Sequence, residues 1–406
     1  MEDRLRVGVV RMGLGCAAVL AGAGWAGAQP VALPPAPAGV EVTREQGFEF
    51  VTVTASRPGE QIVVTPAIPE PPSNIPEYFR PRYRFLNGST IGQVADPFRI
   101  SRTELTHGQY IEMLNMYVGQ RSYEQWGADP LFSVMVSNFA QTYVSILDEG
   151  GNYRITHYIN GPLTNRAMPV NMIEAMLYCN WLHNDRPTDI NRLRTGAYDV
   201  ERYLHVNGNN PVTRSIEPLP GARFFIPSQD QWIRAAHFDP NRYGPGEGGY
   251  WLYANGTDAP SIPGIPGVGS ANIGWDYDPS IGGGWLSAGE IDVGSYPQTQ
   301  SPWGLLDTSG GGGEITTTVM YWPDEPVPYV RNWNGLSFVT RGSFGGTPPA
   351  YNEFDHLYYF LQASFGDGPA YTGTTQGLRI AAAVPAPGVV IAFFGVVPLM
   401  LKRRRL

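Results

Sequence analysis

The chain has 406 residues, a formal net charge of −8 and only 16% charged residues. Its one lysine, Lys402, lies near the C-terminal end, so the body has no lysine for Schiff-base chemistry. The acidic body also argues against nucleic-acid binding, because phosphates need a basic patch. With 49 glycines, 37 prolines and no repeat of fixed period, the sequence predicts an irregular, loop-rich fold and argues against a solenoid or propeller.

Residues 1–28 have the organisation of a secretory signal peptide. A short basic region precedes an apolar run from Met12 to Trp25, which ends at the small-residue cleavage site Ala26-Gly27-Ala28. This run is shorter than the roughly 20 apolar residues that span a bilayer, which disfavours a transmembrane anchor. Cys16 follows a poor lipobox, which disfavours a lipoprotein. We therefore expect export through the Sec machinery.

Residues 29–75 are rich in proline and alanine, which predicts an N-terminal arm or linker. Inside this segment, residues 48–54 alternate between apolar and polar side chains, which predicts one strand. Residues 76–382 are expected to form a domain of about 300 residues, long enough for one large core or two small ones.

Capping-box spacing predicts three helix starts in this domain, at Thr106 with Gln109, Asn171 with Glu174, and Ser228 with Gln231. Apolar residues recur at helical spacing behind each start and are predicted to be core. Cys179 lies in the second of these helices, beside Tyr178 and Trp181. In this position it is expected to be a small buried hydrophobe that needs no reactivity.

Several short segments occur in a fixed order along residues 76–382. They are Glu104-Leu-Thr-His-Gly-Gln-Tyr110, Pro169-Val-Asn-Met-Ile-Glu-Ala175, Pro227-Ser-Gln-Asp-Gln-Trp232, Val293-Gly-Ser-Tyr-Pro297, Trp303-Gly-Leu-Leu-Asp-Thr-Ser-Gly310, Arg341-Gly-Ser-Phe344 and Gly377-Leu-Arg379. In this order they resemble the formylglycine-generating (sulfatase-modifying factor) enzyme family. The resemblance implies an α+β, irregular and loop-rich fold related to C-type lectins.

The resemblance does not extend to the cysteines of the family's oxidases. Those enzymes hold copper with two thiolates placed shortly after an Arg-Gly-Gly-Ser motif, and here Gly346 and Tyr351 fill these places. Soft Cu(I) needs soft ligands, and Cys179 alone cannot supply two thiolates. Copper and formylglycine formation are therefore not expected, and the sequence favours a protein without this enzymatic activity.

Calcium is the metal that the resemblance favours. Family members bind it in the loops that match residues 271–273 and 310–314, which implies Asn272, the carbonyl of Ile273, and Glu314 as ligands. Such oxygen ligands suit this hard ion. Gly311 replaces an asparagine of the family and weakens the second site. The alternative, that these residues are ordinary solvated loop residues, stays open.

The segment 344–371 is rich in aromatic residues with short polar residues between them. In related domains this stretch faces the ligand, and tyrosines offer large contact area at a small entropic cost. The candidate ligand-binding residues are Tyr351, Asn352, Asp355 and Tyr358. Ordinary core packing is the alternative for these aromatic residues.

Residues 384–406 contain a Pro-x-Pro sequence, an apolar run from Val389 to Leu401, and a basic cluster. At ~1.5 Å per residue the run reaches about 20 Å, short of the roughly 30 Å hydrocarbon core. This order resembles the PEP-CTERM sorting signal that exosortases read in Gram-negative bacteria, with Ala386 in place of the usual glutamate. A plain single-pass tail anchor is the alternative.

Three functions are consistent with these features. We expect an exported cell-envelope or surface protein whose domain binds or scaffolds a ligand, such as an extracellular polysaccharide. A cysteine-free oxidoreductase of the same fold is one alternative. A structural component of an extracellular polysaccharide matrix is another.

Overall fold

The computed structural model describes residues 32–64, 88–118, 144–149, 152–157, 163–204, 216–273, 277–278, 284–285, 291–320, 337–343, 355–359, 361–364 and 376–385. The predicted signal peptide, the end of the arm and nearly all of the sorting tail lie outside these residues. Within the described ranges, no helix is both long and apolar enough to cross a membrane.

The helices are α1 (His107–Val118), α2 (Met172–His183), α3 (Glu201–Leu204) and α4 (Gln229–His237), with 3₁₀ turns at Leu163–Asn165 and Ile190–Leu193. The strands are β1 (Val42–Glu45), β2 (Phe48–Val53), β3 (Ile62–Val63), β4 (Thr90–Ile91), β5 (Phe98–Ser101), β6 (Val144–Glu149), β7 (Asn152–His157), β8 (Phe224–Phe225), β9 (Phe238–Gly244), β10 (Glu247–Tyr250), β11 (Tyr277–Asp278), β12 (Gly284–Trp285), β13 (Glu314–Met320), β14 (Ser337–Arg341), β15 (Leu361–Ser364) and β16 (Ala381–Ala383).

The main sheet is antiparallel, with the strand order β1-β2-β5-β16-β8. The strand predicted at residues 48–54 forms β2, which pairs with β5 through Phe50 and Ser101. The predicted N-terminal arm therefore contributes two strands to the main sheet. At the other end of the domain, β16 lies between β5 and β8, with Ala381 opposite both Ile100 and Phe225.

Both faces of β2 are buried. Phe48 and Phe50 belong to a hydrophobic cluster built largely from α1 and α2, whereas Val51 and Val53 belong to a second cluster that includes α4. Successive side chains of a strand point to opposite faces, so this short strand contacts both cores. The main sheet is thus a middle layer between two groups of helices and loops.

The three predicted capping boxes are confirmed. At the start of α1, the Thr106 amide donates to Gln109 Oε1 at 2.9 Å, and the Gln109 amide donates to Thr106 Oγ1 at 3.3 Å. Reciprocal bonds of this kind satisfy amides that have no partner inside the helix. The same arrangement begins α2, at Asn171 and Glu174, and α4, at Ser228 and Gln231.

Cys179 is fully buried inside the first cluster. Its helix places it next to Tyr178, whose ring centre lies 5.4 Å from that of Trp181 and 6.1 Å from that of Tyr110. Burial raises the pKa of the Cys179 thiol well above its ordinary value. The predicted interpretation of Cys179 as a small core residue is confirmed.

The rest of the domain consists of one three-stranded sheet, β13-β14-β15, and several strand pairs linked by loops. The prediction of an irregular fold that mixes few helices with small sheets is confirmed. Because loops have no repeating ladder of hydrogen bonds, the domain needs other polar contacts to fix them. Several of these contacts lie in the candidate site.

Candidate functional site

Three loops and a buried aspartate meet at one place in the domain. Asn272 forms an isolated parallel bridge with Gly310, and the Gly310 amide donates to Ser343 Oγ at 2.9 Å. The Ser343 hydroxyl in turn donates to Asp355 Oδ2 at 2.9 Å. We call Asn272, Gly310, Ser343 and Asp355 the loop junction. It joins loops to which the sequence assigned calcium and ligand binding, although they are far apart in the chain.

Gly310 is required at the junction by both its conformation and its surroundings. Its φ is +78°, a value that favours glycine, and a Cβ there would lie 2.4 Å from the carbonyl oxygen of Asn272. Gly342 is similar, with φ +81° and a Cβ position 2.9 Å from the Thr308 carbonyl oxygen. The Gly-rich sequence at 310–313, which could be read as a flexible run, therefore allows close contact between backbones.

Asp355, a predicted ligand-binding residue, is 2% exposed. Its Oδ1 accepts the Ser343 amide at 2.5 Å, so the carboxylate binds both the backbone and the side chain of Ser343. Burial raises the pKa of Asp355 to about 6, and the hydrogen bonds from Ser343 oppose this rise. In this structure Asp355 holds the turn after β14, and its contact with a ligand stays a prediction.

Glu314, a predicted calcium ligand, lies in a buried ion pair. Arg379 Nη2 donates to Glu314 Oε1 at 2.7 Å, and Arg379 Nε donates to Oε2 at 2.9 Å. The indole Nε1 of Trp232 also donates to Oε2, at 2.7 Å. The side chains of Glu314 and Arg379 are 1% and 0% exposed. Both carboxylate oxygens are thus engaged by protein donors. The other two predicted calcium ligands, Asn272 and Ile273, are buried on a different loop.

Arg379 also binds the backbone of two other segments. It donates to the carbonyl of Ser101 at the end of β5, at 3.0 Å, and to the carbonyl of Leu306 at 2.8 Å. The residue appears in the sequence as part of a short motif, but no role could be assigned to it there. An arginine in an otherwise apolar C-terminal stretch was the only available signal.

Two further acidic residues lie close to this ion pair. Glu104 is fully buried, and its Oε1 accepts the Gly312 amide at 3.1 Å. Burial, followed by the charge of Glu314, raises the pKa of Glu104 well above its ordinary value. Asp307 adopts φ +57° and accepts the Gly294 amide at 2.6 Å, and burial raises its pKa to about 6. We name Glu104, Asp307, Glu314 and Arg379 the acidic cluster.

Tyr358, the other described ligand-binding candidate, is half-buried beside a group of aromatic rings. Its ring centre lies 5.4 Å from that of His356, and the Tyr253 ring meets His356 edge-on at 5.2 Å. Burial and then the charge of Arg341 lower the pKa of His356 to about 4. This histidine is therefore neutral near pH 7.

No group of three or more His, Cys, Asp or Glu side chains in the described ranges is arranged to hold a metal ion. Two of the predicted ligand-binding residues, Tyr351 and Asn352, lie outside the described residues, as does Gly346.

Comparisons with known proteins leave the family open. No family model matches the chain, and no curated protein matches it. A solved structure titled "Crystal Structure of CarF" is similar with a TM-score of 0.37 and 15% identity, covering 84% of this chain and 100% of that chain. A similarity at this level carries no argument about fold or function.

Replacing Gly377 by alanine should destabilise the domain, because a Cβ there would lie 1.9 Å from Glu104 Oε1. We expect a loss of about 1–3 kcal/mol in the free energy of unfolding, as in other overpacked sites. Adding Glu104→Ala should remove the clash, so the double variant should lose less than the two single variants together. Chemical denaturation of the three variants measures this, and strictly additive losses would contradict the contact.

Asp355→Asn should change how stability depends on pH. The folded pKa of Asp355, about 6, exceeds its ordinary 3.8, so the wild-type carboxyl contributes stability that is present below about pH 4 and is lost as pH rises through 6. The variant does not titrate, so its stability relative to the wild type should rise between pH 4 and 6, by up to about 3 kcal/mol.

Above pH 6 the difference should stay constant. Urea unfolding of both proteins at several pH values between 4 and 7 provides the measurement. A difference between variant and wild type that did not change with pH would show that Asp355 titrates normally.

Proposed function

We propose that the chain is an exported envelope or surface protein whose domain binds a ligand, with a surface glycan as the favoured class, and does not oxidise cysteine. The observation that carries this proposal is the position of Cys179. It is the one cysteine in the described part of the chain, it is fully buried, and its pKa is raised. A thiolate at an open site is the form that binds copper or attacks a substrate, and this thiol is neither ionised nor accessible.

The proposal also includes the fold, a domain like that of formylglycine-generating enzymes and related to C-type lectins. Its support is the convergence of weak sequence segments in space. Residues from the segments that begin at Glu104, Pro227 and Gly377 contact one another or Glu314 in the acidic cluster. Ser343, from the segment that begins at Arg341, contacts Gly310.

Calcium is proposed as a structural ion at the loop that contains Asn272 and the carbonyl of Ile273. Glu314 already has three hydrogen bonds from Arg379 and Trp232, so it would have to exchange these for the ion. The side-chain oxygen of Asn272 and the carbonyl oxygen of Ile273 are hard donors of the kind that calcium prefers. The site at Asn272 is thus the better supported of the two.

The location is proposed from the sequence of the two ends. The signal peptide would direct the chain to the Sec machinery, and the PEP-CTERM-like tail would bring it to an exosortase. These ends lie outside the described residues, apart from residues 384 and 385. Two alternative functions remain. The hypothesis of a structural matrix component is supported by this tail alone, and the hypothesis of an oxidoreductase requires a redox-active group.

Three assays on the full chain test the proposal. Incubation with copper and a Cys-x-Pro-x-Arg peptide should yield no aldehyde, and a glycan array should show saturable binding. Tyr358→Ala should fold normally and bind at least about fivefold more weakly if Tyr358 faces the ligand, which corresponds to about 1 kcal/mol.

Chelator should lower the melting temperature if calcium binds the native state.

Several results would contradict these expectations. If the protein formed aldehyde and Cys179→Ser abolished this activity, the protein would be an enzyme that oxidises cysteine. A redox-active metal in the purified protein would favour the oxidoreductase, and absence of glycan binding would favour the structural component. A melt that chelator leaves unchanged would remove calcium from the proposal.

A further inference from the structure

The β9–β10 hairpin carries a group of ring and guanidinium side chains outside both hydrophobic clusters. Tyr243 is 67% exposed, and Trp251, directly after β10, is half-buried. The Arg242 guanidinium carbon lies 4.3 Å from the centre of the Trp251 ring and 5.1 Å from that of the Tyr243 ring. We call Arg242, Tyr243 and Trp251 the hairpin platform. Its exposed ring is not required by the core.

The platform is rigid for reasons that lie in the hairpin itself. The Tyr243 ring packs across Gly249, where a Cβ would lie 2.5 Å from its Cε2 atom. The Trp251 amide donates to the His237 carbonyl at 2.9 Å, which fixes this residue to the end of α4. Asn241 Oδ1 accepts the Gly246 amide at 2.8 Å and closes the turn. An exposed tyrosine held in this way loses little entropy when it binds a ligand.

The two aspartates at the platform are fully hydrogen-bonded. Asp258 accepts Arg242 Nη2 at 2.6 Å through Oδ2 and the Leu252 amide at 3.1 Å through Oδ1. Asp239 accepts the Asn241 amide at 2.8 Å and the Trp251 indole N–H at 3.2 Å. All four carboxylate oxygens therefore have donors. Both aspartates at the platform are thus engaged, while the exposed Glu247 lies beside it on the same hairpin. The three carboxylates outnumber the one arginine, so an anionic ligand would be repelled.

The donors that remain suit hydroxyl groups. Arg242 has five N–H donors in total, and those on Nε and Nη1 have no hydrogen-bond partner among the described residues. Next to them lies a ring face, which carries a negative quadrupole and attracts polarised C–H groups. An aromatic face beside neutralised polar donors matches a pyranose ring, which has C–H groups on one face and hydroxyls at its edge.

We propose that the hairpin platform binds the pyranose rings of a neutral glycan, with Tyr243 stacking on the sugar and Arg242 donating to its hydroxyls. This inference rests on the proposed function, since it names the ligand class and a binding surface for the domain. It adds the hairpin to the candidate binding surface that the segment 344–371 provides.

The test is calorimetric titration of the full chain with neutral glucose and mannose hexasaccharides, an acidic hexasaccharide, and a deca-lysine peptide. Tyr243→Ala should weaken binding of a neutral hexasaccharide at least about tenfold, as loss of an aromatic anchor does. Tyr243→Phe keeps the ring and should bind within about twofold of wild type, because stacking uses the ring face.

Val268→Ala is the matched control, because Val268 is 78% exposed on another loop and should not affect binding. All variants should keep the wild-type melting temperature. Unchanged affinity in Tyr243→Ala, or wild-type protein that binds no neutral hexasaccharide, would overturn the inference. So would binding of deca-lysine that Tyr243→Ala abolishes, since this would make the platform a site for cationic peptides.

Failure of the inference can be told apart from failure of the proposed function. Binding lost in Tyr358→Ala and kept in Tyr243→Ala, or binding of the acidic hexasaccharide alone, would remove the platform while the domain remained a glycan binder. A chain that bound no glycan of either kind would contradict both.

Discussion

The buried ion pair between Glu314 and Arg379 is the constraint on which the rest of the domain depends. Arg379 joins the end of β5, 278 residues earlier in the chain, to the loop at Leu306 and the start of β13. Removing two charges from water costs several kcal/mol per ion unless each is paired and fully hydrogen-bonded. Three hydrogen bonds on Glu314 and the carbonyls around Arg379 meet this requirement only when all the loops are in place.

This constraint accounts for the local chemistry around the pair. Glu104 lies against glycine backbones, where burial, and after it the charge of Glu314, raises its pKa. Beyond the pair, Gly310 links to Ser343 and Asp355, so the fixed loops extend as far as β14. A fold with short helices and small sheets is thus fixed at these loops by polar contacts.

Local features were predictable from the sequence, and long-range ones were not. The capping box at Asn171 and Glu174 involves residues three apart, and the alternation of residues 48–54 reflects a strand's own period, so both were predicted correctly. The position of β16 between β5 and β8 depends on pairings with residues far earlier in the chain, since Ala381 lies opposite both Ile100 and Phe225. Asp355 shows the limit for the site, because polar residues among aromatics look alike in sequence whether they face solvent or a buried serine.

The most direct test of this account is a double-mutant cycle on Glu314 and Arg379, measured by chemical denaturation. Arg379→Met should cost about 3–5 kcal/mol, because it leaves a buried carboxylate without its cation. Combining it with Glu314→Gln should cost clearly less than the sum of the single variants, with a coupling of at least about 1 kcal/mol. Additive losses, or a loss below about 1 kcal/mol in Arg379→Met, would show that the ion pair does not hold the domain together.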